Sequence, residues 1–119
     1  MVQQSTPWTA EFYRDARGKS PVQEFLGSLT KTDRAKIAHE IERLEIGGLN
    51  ELPPDARPLV NHKPLWELKP DKYRVIYFAH RGRRFIILHA FTKKSRKTSP
   101  KDVATAERRF AEFMEREGR

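Results

Sequence analysis

The stretch from Lys63 to Lys101 carries the residue types that could handle a phosphate. Arg74 interrupts an otherwise apolar run, Tyr73–Ala79. A second run, Phe85–Phe91, is followed at once by Thr92-Lys93-Lys94-Ser95-Arg96-Lys97, four cations in six residues. An arginine inside an apolar run has two readings, because its planar fork fits carboxylate and phosphate alike. It pairs with Glu67 as a structural ion pair, or it lines a concave anion site. The cationic loop is either a solvated face or a set of phosphate contacts. His89, between Leu88 and Ala90, is either a satisfied core residue or a proton carrier. Such a set could cut RNA without a metal. Cations orient the 2′-hydroxyl and the scissile phosphate and stabilise charge building on its oxygens, while one group takes a proton and another gives one to the leaving 5′-oxygen. Ordinary lysine and arginine are poor bases at neutral pH. Either neighbouring cations lower a lysine pKa, or Glu67 or His89 takes the proton.

Other chemistries lack their residues. There is no cysteine, which excludes disulfide scaffolds, thiolate nucleophiles and sulfur-ligated metal. The histidines, at 39, 62, 80 and 89, show no metal-ligand spacing, so neither metal nor cofactor is expected. No phosphate-binding glycine loop and no nucleophile elbow occurs. No apolar run reaches the ~18 residues of a membrane span, and Met1–Tyr13 lacks a signal pattern. A cytoplasmic chain without a membrane partner is expected.

The charge is concentrated. The chain has 119 residues and a net charge of +8. Residues 61–101 hold twelve basic and two acidic side chains, while the segments on either side each carry a net −1. That stretch also holds Trp66, Tyr73, Tyr77, Phe78, Phe85 and Phe91. A field of one sign on one stretch favours a polyanionic partner, whereas solubilising faces mix both signs.

The elements that must position these groups can be read in turn. One domain, residues 1–119, is the expectation at this length. Pro7–Tyr13 alternates like a short strand. Ser20-Pro21-Val22-Gln23 opens a helix with a capping box, and Val22, Phe25, Leu26 and Leu29 form its buried stripe. A second helix spans Thr32 to about Ile46, with Ile37, Ala38, Ile41 and Leu44 toward the core and Gly47-Gly48 as its stop. Pro53, Pro54, Pro58 and Pro64 make residues 49–64 a loop. Leu65–Lys69, Tyr73–Ala79 and Phe85–Phe91 are strands joined by short turns, hence an antiparallel meander. Ser99-Pro100 opens a last helix, ended by Gly118. The class is α+β in the order β-α-α-β-β-β-α: a small antiparallel sheet, an N-terminal helical hairpin and a C-terminal helix. The second and third meander strands are apolar on both parities, so both sheet faces should be covered. A two-residue hairpin loop, Arg81-Gly82, sets Arg74 opposite His89. A four-residue loop, Arg81–Arg84, sets Arg74 opposite Phe91 and Ile76 opposite His89. Either way Arg74, His89 and Phe91 share a face unless a bulge intervenes.

Three segments carry a family resemblance: Leu65-Trp66-Glu67-Leu68-Lys69, Tyr73-Arg74-Val75-Ile76-Tyr77-Phe78 and Leu88-His89-Ala90-Phe91-Thr92-Lys93-Lys94-Ser95. Lys97-Thr98-Ser99-Pro100, Ala104, Ala106 and Arg108-Arg109 continue it. The chain resembles the RelE/ParE superfamily of bacterial toxins, in particular its HigB-like, phage-derived branch. The resemblance implies a RelE-like fold and a type II toxin that enters the ribosomal A site and cuts mRNA. It implies a helix-turn-helix antitoxin as partner. Arg74 matches the arginine such toxins use on the phosphate, Lys93 and Lys94 the double lysine, and Glu67 the glutamate after tryptophan. Lys63 matches a basic residue before the second strand. Lys69 stands where the family often has arginine, which weakens bidentate contact there. The resulting expectation is catalysis by Arg74, Lys93 and Lys94, with proton transfer by His89 or Glu67. Lys63, Lys69, Arg83, Arg84, Arg96 and Lys97 would grip RNA. Two rivals stand beside it: a ParE-like gyrase inhibitor, and a non-catalytic RNA-binding module or inactive toxin relative.

Overall fold

The computed structural model describes residues 7–117. Its elements are β1 (Thr9–Phe12), α1 (Pro21–Gly27), α2 (Lys31–Gly47), β2 (Arg57–Pro58), β3 (Trp66–Leu68), β4 (Tyr73–His80), β5 (Arg84–Thr92) and α3 (Pro100–Glu117). The strands form one five-stranded sheet in the order β1-β5-β4-β3-β2. The α+β class and the order of the larger elements are those read from the sequence. Gly118, expected to end the last helix, lies outside the described residues.

Helix starts follow local chemistry. The Ser20 side chain accepts from the Gln23 backbone N–H, and Thr30 does the same for Asp33, which satisfies donors that a helix N-terminus leaves free. α2 stops at Gly48, whose φ of 58° is a conformation glycine adopts without steric cost.

The sheet separates two cores. On one face Val22, Leu26, Ile37, Ile41 and Leu44 of the helical hairpin pack on Leu68, Val75, Tyr77, Phe85 and Ile87. On the other, Ala106 and Phe113 of α3 pack on Ile76, Phe78, Ile86, Leu88 and Phe91. This explains why β4 and β5 are apolar on both parities. Tyr73 fastens α2 to the sheet by donating its hydroxyl to Asp33 Oδ2 at 2.6 Å. That bond is the main cause holding its phenol pKa up at about 12.

Four expectations are corrected. The sheet is mixed, because β1 runs parallel to β5; the helical hairpin supplies the crossover that a parallel neighbour needs. The proline-rich segment contains β2, which pairs with β3; it is the sheet's outermost strand, where proline's missing N–H is tolerated. Ala38 is exposed, since it lies one residue past Ile37 and so about 100° off the buried stripe. The hairpin loop has three residues, Arg81–Arg83, with Gly82 at φ 80° and Arg83 at φ 57°. An odd loop would put the two strands out of phase. A bulge restores the phase: Tyr77 pairs with Ile87 but Ile76 with His89, leaving Leu88 as the extra residue. Leu88 and His89 therefore both point toward α3, and Arg74 pairs with Phe91.

Candidate functional site

The open ends of β4 and β5 meet at Tyr73–Thr92, and the Lys93 N–H extends the pairing by donating to the Lys72 carbonyl at 2.8 Å. Beyond Lys93 the chain leaves the sheet and crosses to the start of α3. This crossing, the end of β4 and the first turn of α3 enclose an open cavity of about 330 Å³. Arg74, Lys93, Lys94, Arg96, Lys97 and Lys101 line it. Among the described residues, no carboxylate pairs with any of these six cations. Their charge is therefore not neutralised by the protein's own carboxylates.

Arg74 is placed by backbone. One of its terminal nitrogens donates to the carbonyls of Tyr73 at 2.6 Å and Asp71 at 3.1 Å. It makes no ion pair with Glu67 and lines the cavity instead. Glu67 is buried and accepts a hydrogen bond from Thr98 Oγ1 at 2.7 Å. His89 is occupied on both nitrogens. Nε2 lies 2.7 Å from Asp102 Oδ1, and Nδ1 lies 3.2 Å from a terminal nitrogen of Arg109. That same nitrogen donates to the Leu88 carbonyl at 2.9 Å. Arginine can only donate, so Nδ1 accepts and the ring proton sits on Nε2, donated to Asp102. Glu67 and His89 thus reach the cavity only through Thr98 and Asp102, which do line it.

The remaining cations are dispersed. Lys63 and Lys69 are exposed on either side of β3 and lie outside the cavity lining. Arg83 and Arg84 sit at the far end of the hairpin, eight strand residues or about 27 Å from Thr92. Arg84 is bound there by Glu11 at 2.6 Å and Glu117 at 3.5 Å. The structure does not bring these four to the site. Conversely, the sequence reading passed over Thr98 and Asp102. The signal for Asp102 was its place in the Ser99-Pro100-Lys101-Asp102 helix opening, where the Asp102 N–H is capped by Ser99 Oγ at 3.2 Å; that pattern reports a cap and is silent about what the side chain faces.

Residues 24–111 match the family described as "Phage derived protein Gp49-like (DUF891)". The chain belongs to this family. Gp49-like proteins are RelE/ParE-like and toxin-like, of the toxin–antitoxin type, and the match spans α2, the whole β2–β5 meander, the basic crossing and most of α3. A search of curated proteins finds no match. Among the described residues of this Gp49-like chain, no group of three or more His, Asp or Glu side chains could hold a metal ion, and no helix is long and apolar enough to cross a membrane.

Proposed function

We propose that this Gp49-like chain is the toxin of a type II toxin–antitoxin pair and cuts mRNA on the ribosome. The cavity at the end of the β4–β5 hairpin carries this reading: six cations from three elements, with no carboxylate partner among the described residues. A polyanion supplies the missing negative charge, and the concave site selects a single phosphate within it. Arg74 grips that phosphate, and Lys93 and Lys94 stabilise the charge that builds on its oxygens as a fifth bond forms. Arg96 and Lys97 hold the neighbouring backbone. Glu67 and His89 act through the cavity wall, holding Thr98 and Asp102 in place. Cleavage by the RNA's own 2′-hydroxyl leaves a 2′,3′-cyclic phosphate or its 3′-phosphate product. The partner expected from the family type is an antitoxin with a helix-turn-helix fold.

The test is induction in bacteria followed by mapping of RNA 5′ ends within minutes. In-frame cuts inside translated messages, lost when initiation is blocked, are expected. Arg74→Ala combined with Lys94→Ala should abolish both the cuts and growth arrest while the far-ultraviolet circular dichroism stays unchanged. Intact messages with growth arrest and DNA damage would move the reading to gyrase; persistent cutting by the folded double variant would overturn the site.

A further inference from the structure

Asp102 is the one acidic residue in the lining of the cationic cavity. It lies in the first turn of α3, beside backbone N–H groups that the helix start leaves free. One of its oxygens, Oδ1, receives the Nε2–H of His89 at 2.7 Å. The other, Oδ2, has no hydrogen-bond partner among the described residues. His89 is fixed in turn, because Arg109 occupies Nδ1 and is itself tied to the Leu88 carbonyl. The bulge at Leu88 is what turns His89 toward α3. The result is a chain, Arg109–His89–Asp102, that ends with a free carboxylate oxygen among lysines. An ion-pair role alone would place a lysine or arginine against that oxygen, yet among the described residues neither lies within 4 Å of Asp102, whose one close basic partner is the neutral His89 ring.

We infer that Asp102 is the general base that takes the 2′-hydroxyl proton, and that His89 and Arg109 are the residues positioning it. The inference rests on the nuclease reading and names the proton acceptor within that same site. The step balances as an internal transesterification. The 2′-oxygen forms a bond to phosphorus and gives its proton to Asp102 Oδ2; the bond from phosphorus to the 5′-oxygen breaks, and that oxygen takes a proton from the ammonium of Lys93 or Lys94. Asp102 then loses its proton to water and the lysine regains one. His89 stays neutral and keeps its Nε2–H throughout, holding the carboxylate in place. The charged groups that share the cavity with Asp102 are Arg74, Lys93, Lys94, Arg96, Lys97 and Lys101, with Arg108 and Arg109 acting on His89 behind it.

The experiment is single-turnover cleavage of ribosome-bound mRNA by the full chain at neutral pH, with binding measured separately. Asp102→Asn keeps the acceptor for His89 and removes the base. It should slow single-turnover cleavage about 100-fold or more and leave binding unchanged or tighter. Asp102→Ser, a residue that also suits a first helical turn, gives the same readout if Asn disturbs folding. Cleavage within a few-fold of wild type would overturn the inference, as would parallel loss of binding and cleavage. A wild-type chain that binds ribosomes and never cuts would overturn the nuclease reading, and this inference with it.

Discussion

His89 is held neutral by where it sits. Burial is the main cause pushing its pKa below the ordinary 6.5; Arg109 and Arg108 push the same way, and the Asp102 hydrogen bond opposes them. His80 is shifted in the same direction, first by burial and then by Arg84 and Arg81. Its ring meets Phe78 and Phe113 edge-on at 5.7 and 5.1 Å. Both histidines bind fewer protons in the folded chain than in the unfolded one around their ordinary pKa. Their contribution is therefore complete above that pH and is lost as pH falls toward the lower folded values. The melting temperature should drop as pH is lowered from 7 to 5. His80→Gln should flatten part of that slope, and differential scanning fluorimetry across the range checks it. The same residues show what single positions disclose. Arg74 and the double lysine were legible because a cation in or after an apolar run is conspicuous. The assignment of His89 and Glu67 to roles was not legible, because it depends on whether Asp102 and Thr98 stand in front of them.

The end of α2 is where an element boundary depends on a neighbour. Gly48 has a positive φ, and a Cβ added there would stand 2.7 Å from Trp8 Cδ1. Trp8 is itself stacked on Phe85, ring centroids 4.6 Å apart, so it has little room to yield. Gly48→Ala should therefore destabilise the chain by about 1–3 kcal/mol or more, from backbone strain and the clash together; the urea midpoint measures it. The Gly47-Gly48 stop was readable from composition alone, whereas its packing against Trp8, just ahead of β1, was not. The hairpin teaches the opposite lesson. Strands, turn and shared face of Arg74 and Phe91 were all readable, yet both expected loops were even. The three-residue loop and the bulge at Leu88 are coupled adjustments, and only their combination keeps the apolar residues of β4 and β5 in phase with the two cores.

Across the whole molecule, charge divides along the length of the hairpin. At its open end six cations line one cavity; at its turn end Arg84 is neutralised by Glu11 and Glu117, and its guanidinium lies 5.8 Å from the Phe113 ring centroid. Binding to single-stranded RNA should accordingly weaken with salt, with log K falling by about 0.7 per phosphate neutralised. Arg96→Gln with Lys97→Gln should reduce that slope by roughly 1–1.5. Arg84→Gln should leave the slope unchanged and lower stability instead. Fluorescence anisotropy titrations at several salt concentrations separate the two outcomes.

Composition and periodicity by themselves determined the α+β class, the three main helices, the meander and the basic stretch, because burial stripes, caps and charge density are local properties of a chain. The resemblance in the Trp66–Ser95 region pointed to the toxin family that the Gp49-like match then established in its coarser form. Only the tertiary structure decided that β1 joins in parallel, that the sheet keeps its phase through a bulge, and which of the twelve central cations converge. It alone set Asp102 against His89 across thirteen residues. Such juxtapositions depend on how α3 lies on the sheet, and that is fixed by packing of Phe78, Leu88, Phe110 and Phe113, a property of the assembled core rather than of any segment in it.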